Sequence, residues 1–196
     1  MRRFIALALL VAIPLMVMAS DEGKDSAAGG KDAPAISLKD TTGKNHSLDQ
    51  YKDKIVVLEW TEPGCPYIVR HAKAQTMSKI QKDYAGKNVV VLGVCTSKFT
   101  DAEGMEKFRQ EQKLDYPVLM DETGAVGRAY GASNTPHLFV VQNGKIVYEG
   151  AIDDDPRGRK DEPSNYVDGA ATALLQGALP APSSTQPYGC SVKYAD

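Results

Sequence analysis

The sequence predicts an α/β fold: a central mixed β-sheet flanked by helices, followed by a C-terminal tail. Three observations carry that expectation. Apolar runs at Ile55–Leu58 and Asn88–Cys95 alternate with helical patterns over residues 66–84 and 101–114, which is how parallel neighbours and their crossovers read. Next, His137–Gln142 and Lys145–Gly150 flank Asn143-Gly144, a type I′ pair that joins antiparallel strands. A last helical pattern covers Tyr166–Gln176. Parallel and antiparallel neighbours in one chain make the sheet mixed.

The elements follow in order. Met1-Arg2-Arg3 is basic, Phe4–Met18 is almost wholly apolar, and Val17-Met18-Ala19 precedes Ser20 as a cleavage site would. Residues 1–19 therefore read as a signal peptide, since the apolar run is shorter than the roughly 20 residues of a span. The expectation is an exported protein, periplasmic or secreted, with no stable membrane anchor after cleavage. Residues 20–32, rich in Asp, Gly, Ala and Lys, read as a flexible linker, 33–178 as the folded domain, and 179–196 as a tail carrying Cys190. Ile36-Ser37-Leu38 and His46-Ser47-Leu48 flank a turn and suggest a short hairpin. Ile68, Ala72, Met77, Ile80 and Tyr84 approximate the apolar face of one long helix, closed by Gly86. Thr100-Asp101-Ala102-Glu103 is a capping signal for the second helix. Tyr116–Met120 is a short strand, Thr123–Tyr130 a short helix, and Asp153–Pro163 a charged loop.

At 196 residues and a net charge of -2, the chain gives no reason to expect nucleic acid. Its three cysteines are too few for a disulfide scaffold, and an oxidising compartment permits one bridge with one thiol left over. Cys65 stands out. It follows a Pro63-Gly64 turn after a buried strand, and Pro66 suits the first turn of a helix. A thiol at a helix N-terminus meets unpaired N–H groups and the positive end of the dipole, which favours thiolate. Cys65 is thus the candidate nucleophile, in a turn expected to face solvent. Cys95, closing a strand, reads as a small core hydrophobe.

These pieces, in their order, resemble the thioredoxin-fold redoxins of the alkyl hydroperoxide reductase and thiol-specific antioxidant class. The resemblance rests on Ala33-Pro34-Ala35-Ile36-Ser37-Leu38, Cys65-Pro66-Tyr67, Tyr116-Pro117-Val118-Leu119-Met120-Asp121 and Thr135-Pro136. A narrower peroxiredoxin-like group is also similar, through Cys65-Pro66-Tyr67, Ile152-Asp153-Asp154 and a terminal Gly189-Cys190-Ser191. It implies a thioredoxin-like fold, a cis Pro136, and a substrate groove along Pro66, Tyr67, Thr135, Pro136 and His137. Two departures stand. Ile68 occupies the place of the second cysteine in Cys-x-x-Cys, and Thr61 is one residue too far from Cys65 for the Pro-x-x-x-Thr/Ser-x-x-Cys loop of peroxiredoxins.

Three functions compete. The first is thiol–disulfide exchange with Cys65 as nucleophile, released by Cys190 or by an external thiol reductant. The second is a thiol peroxidase, in which a hydroperoxide oxidises Cys65 to a sulfenic acid. The third is a non-catalytic module binding a metal or a partner. Partners are accordingly a protein disulfide or thiol, or a hydroperoxide, together with an external thiol. No cofactor is expected, and no metal, because Cys65 with His137 offers two ligands where structural zinc takes about four. Cys190 reads either as a resolving cysteine or as a surface or structural thiol; the extended, Pro-rich Leu179–Tyr188 can carry it back across the domain. Glu59 and Glu62 flank the turn, with Glu62 expected in solvent, and Trp60 is expected beneath the turn.

Overall fold

The computed structural model describes residues 30–195. The signal-peptide reading and most of the linker reading lie outside the described residues. In chain order the elements are β1 (Lys31–Asp32), β2 (Ser37–Lys39), β3 (Asn45–Ser47), β4 (Ile55–Thr61), α1 (Pro66–Lys73), α2 (Thr76–Asp83) and β5 (Val89–Cys95). There follow α3 (Ala102–Glu111), β6 (Val118–Met120), α4 (Ala125–Tyr130), β7 (Asn134–Thr135), β8 (His137–Gln142), β9 (Lys145–Gly150), α5 (Tyr166–Leu175) and β10 (Cys190–Ser191).

Six strands form the main sheet in the order β1-β9-β8-β4-β5-β6. β4 pairs with β5 in parallel, from Ile55 opposite Val89 to Thr61 opposite Cys95, and antiparallel with β8. It is therefore central, which explains why Ile55–Trp60 are all buried. Side chains alternate between two cores. Ile55 and Val57 face Cys65, α1, α2, α3 and α5, while Val56, Leu58 and Trp60 face α4 and the β2–β3 hairpin. Each fully buried Val or Leu here contributes about 1.5–3 kcal/mol, so the strand preceding the active turn is anchored on both faces.

Four expectations about elements change. The single long helix is two: Gln75 adopts a left-handed conformation (φ 56) between α1 and α2. Its side-chain amide donates to the Ala72 carbonyl (2.8 Å) at the break and to the Gln112 carbonyl (2.7 Å) at the end of α3. The step of five from Ala72 to Met77 already departs from helical period. Second, Lys31 and Asp32, placed in the linker, pair with Ile146 and Lys145 and extend the sheet by an edge strand. Third, the tail is not loose. Cys190 and Ser191 pair antiparallel with Thr135 and Asn134, and Ser184 bridges Glu149. Fourth, the Asp153–Pro163 loop turns charge inward, burying Asp153 and Asp155.

Candidate active site

Cys65 is the N-cap of α1, with Pro66 at the first helical position. Its own N–H donates to the Glu62 carbonyl at 3.0 Å, closing the turn that follows β4. The sulfur is not solvent-facing as expected; Cys65 is 1% exposed, because the tail covers it. The thiol Sγ donates to the Thr135 carbonyl at 2.9 Å, and Thr135-Pro136 is cis. Burial alone would raise the Cys65 pKa. Hydrogen bonds to the thiolate from the Thr135 hydroxyl, the Ile68 and Cys190 N–H groups and the Cys190 thiol outweigh it, and the net shift is downward.

Cys190 is held beside Cys65 by backbone pairing. It sits opposite Thr135 in register, Val192 N–H donates to the Ser133 carbonyl at 3.0 Å, and the Asn134 amide donates to the Gly189 carbonyl at 3.2 Å. Gly189 makes the approach possible: at φ +122, a Cβ there would lie 2.1 Å from the Thr135 carbonyl oxygen. Burial, and then the Cys65 sulfur it hydrogen-bonds, push the Cys190 thiol up to about 11. The pair thus shares its protons unequally. Cys65 ionises first.

Upstream, Tyr188 fastens the tail. Its O–H donates to Asp153 Oδ1 at 2.5 Å and lies 3.0 Å from His71 Nε2 and 3.3 Å from Arg70 Nη2. Arg70 also donates to the carbonyls of Asp155 and Pro156, drawing the charged loop onto the same point. Burial takes His71 down to about 4, so the imidazole is neutral and can accept from Arg70.

The expected groove is divided. A cavity of about 220 Å³ reaches the sulfurs and is lined by Glu62, Gly64, Cys65, Phe99, Cys190 and Lys193. Pro66 and Tyr67 line a different cleft with Arg70, Pro156, Arg157 and Arg159, and Tyr67 packs on Tyr188 with ring centroids 5.8 Å apart. Thr135 touches both cysteines, but its backbone edge, expected to receive substrate, is taken by β10. His137 is misplaced by the sequence reading. Alternation along β8 puts Leu138 in the Cys65 core and His137 against Phe139, 4.4 Å between centroids, on the opposite face. It cannot share a metal with Cys65. Trp60 lies on that opposite face too, against Tyr130 and Phe139, with its N–H donating to Thr96 Oγ1 at 3.2 Å.

Two carboxylates sit near the turn. Glu59 is wholly buried and accepts from the Tyr116 hydroxyl at 2.8 Å; burial raises its pKa to about 7. Glu62, expected in solvent, is only 8% exposed. Its Oε1 accepts from Gly64 N–H (3.2 Å) and Thr100 Oγ1 (3.0 Å), while the buried Oε2 has no hydrogen-bond partner among the described residues. Cys95 is buried, and burial followed by the nearby Glu62 and Asp121 carboxylates raises its thiol to about 12. It behaves as the core hydrophobe the sequence suggests. Phe99, Lys193, Tyr188 and Arg70 were not singled out for the site, since only tertiary contacts bring them there.

Comparison with known proteins agrees with the fold. The AhpC/TSA family model matches residues 29–149. A thiol-disulfide oxidoreductase ResA from Geobacillus thermodenitrificans is 30% identical over 148 residues, covering 74% of this chain and 83% of that protein. The chloroplastic peroxiredoxin Q of Suaeda salsa is 32% identical over 123 residues, covering 61% of this chain and 53% of its own length. The crystal structure of an uncharacterised conserved protein from Geobacillus kaustophilus superposes with a TM-score of 0.75 at 29% identity, covering 85% of this chain and 92% of that one. The chain belongs to the AhpC/TSA family, a thioredoxin-fold redoxin of the oxidoreductase class.

Proposed function

We propose that this protein is an exported thiol oxidoreductase that turns over through a Cys65–Cys190 disulfide. The observation that carries the reading is the pairing of Cys190 with Thr135, the residue whose carbonyl accepts from the Cys65 thiol, so that β10 brings a second cysteine to the same point. A strand added at this edge is how an extended substrate would meet the sulfur; here the protein's own tail takes that place. The tail therefore replaces the absent second cysteine of a Cys-x-x-Cys motif.

The chemistry follows thiol–disulfide exchange. The Cys65 thiolate attacks one sulfur of a substrate disulfide, forming Cys65–S–S–R and expelling the other half as a thiolate. Cys190 then attacks the Cys65 sulfur, the bond to R breaks with its electron pair, and an external dithiol returns the internal disulfide to two thiols. A hydroperoxide can enter the same cycle: its distal oxygen is transferred to Cys65, the alcohol leaves, and Cys190 attacks the sulfenic acid with loss of water. The small cavity and the occupied Thr135 edge favour small substrates in both versions. The signal-like N-terminus supports export.

The test is Cys190→Ser. With a small aromatic disulfide, the variant is expected to attack normally and accumulate a mixed disulfide at Cys65, while the native protein releases both aromatic thiols. Release of both by the variant at the native rate would refute the internal cycle. Parallel assays with hydroperoxide measure which oxidant is consumed faster, and no reaction with either would leave the binding module as the better reading.

A further inference from the structure

We propose that Glu62 is the proton acceptor for Cys190 in the resolving step and returns that proton to the leaving group. The inference rests on the internal cycle above and assigns a further residue to it.

The attacking sulfur needs help. Cys190 reaches the site as a thiol, and attack requires the thiolate. As its S–H becomes S–S, a proton must leave a half-buried position beside the cavity. Glu62 lines the same cavity as both sulfurs. It is more than nine-tenths buried, and its two oxygens are treated differently. Oε1 is fixed by Gly64 N–H and Thr100 Oγ1, which hold the carboxylate plane, whereas Oε2 is buried without a partner among the described residues. A buried carboxylate oxygen left without a partner is costly to keep. A turn that keeps one beside two cysteines holds an acceptor in reserve.

The other ionisable groups facing the cavity do not fit the role. Cys65 is the sulfur under attack. Lys193, whose ammonium donates to Ser191 Oγ at 3.1 Å, lowers the Cys190 thiol pKa but offers no lone pair while charged. Cys95, behind Glu62 on β5, is the least acidic of the three thiols, and Lys98 lies over Phe99. Asp121 is committed to Thr96 and to Gly127 N–H.

The step balances. Glu62 takes the Cys190 proton as the Cys190 sulfur bonds to the Cys65 sulfur. The Cys65–S–R bond breaks, RS⁻ leaves with the electron pair, and Glu62 gives it the proton. Glu62 ends as it began. With a sulfenic acid at Cys65, hydroxide is the leaving group and water the product.

The experiment is a single turnover. Cys65 is charged with 5-thio-2-nitrobenzoate as a mixed disulfide, and release of the coloured thiolate, which stays ionised so that Glu62 passes its proton to solvent, is followed from mildly acidic to mildly alkaline pH. Native protein is expected to give a rate that changes little with pH across that range. A Cys190 thiolate generated by solvent instead gives a tenfold rise per pH unit across that range. That outcome in the native protein would overturn the proposal without any variant. Glu62→Gln retains an oxygen for Gly64 N–H and Thr100 but cannot accept a proton. It is expected to lose about tenfold or more in release near neutral pH, to show the steep dependence, and to keep the rate of the first attack by Cys65. An unchanged rate and profile in Glu62→Gln would refute Glu62's part alone. Release that persists in Cys190→Ser would refute the cycle on which it rests.

Discussion

The active turn and the C-terminal tail reach the same sulfur pair by opposite routes. The turn is local: β4 ends, Cys65 caps α1, and Pro66 starts the helix, all within contiguous residues. The tail is assembled from distant partners. Cys190 is held by Thr135, 55 residues earlier, and Tyr188 by Asp153, 35 residues earlier. Local geometry sets Cys65 at the helix cap, and tertiary geometry sets Cys190 beside it. On the proposed cycle, the first would be the nucleophile and the second would resolve it.

The sharpest contrast is between cysteines. Cys65→Ser is expected to lower thiol exchange by about three orders of magnitude or more, as removal of a nucleophile does. Cys95→Ser should remain within a few-fold of native activity, because burial raises that thiol to about 12 and leaves it in the core. A comparable loss in both variants would erase the distinction drawn between them.

On the tail side, Gly189→Ala places a methyl 2.1 Å from the Thr135 carbonyl oxygen at a φ of +122. The tail must lift from that edge. Resolution is expected to slow about tenfold or more while the first attack by Cys65 persists. Native-rate resolution in this variant would mean that the register between Cys190 and Thr135 is not needed.

The turn side carries a cost of its own in Glu59. Its folded pKa, about 7, stands above the ordinary 4.5. The fold is therefore favoured with Glu59 protonated: that stability is full below the ordinary value and is lost as pH rises through about 7. Glu59→Gln removes the penalty. It should stabilise the protein by up to about 3 kcal/mol in mildly alkaline solution and by little near pH 4, measured by denaturant unfolding. Parallel stability curves for the two proteins would remove Glu59 as the source of the slope.

The smallest effect is Tyr188→Phe. It deletes the donor to Asp153 Oδ1, which still accepts from Asp155 N–H. A loss of about 1–2 kcal/mol is expected, with faster hydrogen exchange at Val192, whose N–H pairs the tail to Ser133. Exchange no faster than native would show that Tyr188 does not govern the tail's docking.

What could be read from sequence divides along the same line. The strand before Cys65, the helix cap and the Asn143-Gly144 hairpin are legible because periodicity, proline position and turn chemistry act within a few residues. The break at Gln75 was hidden, since it depends on a left-handed residue and on a carbonyl from Gln112 across the fold. His137 is legible as the first residue of its strand, but not as facing away from Cys65: being next to Pro136 in the chain does not mean sharing its face. Glu62 reads as solvent-facing because a charged residue in a turn usually is; only Thr100 and the cavity wall reveal otherwise. Cys190 was legible as a candidate, but not its register opposite Thr135.

The most direct test of the internal cycle is disulfide mapping by mass spectrometry after one equivalent of oxidant. The expected product is a monomer in which a Cys65 peptide is linked to a Cys190 peptide, with Cys95 recovered as a free thiol. A Cys65–Cys95 link, a Cys65–Cys65 dimer, or oxidised Cys65 beside a freely alkylated Cys190 would contradict it.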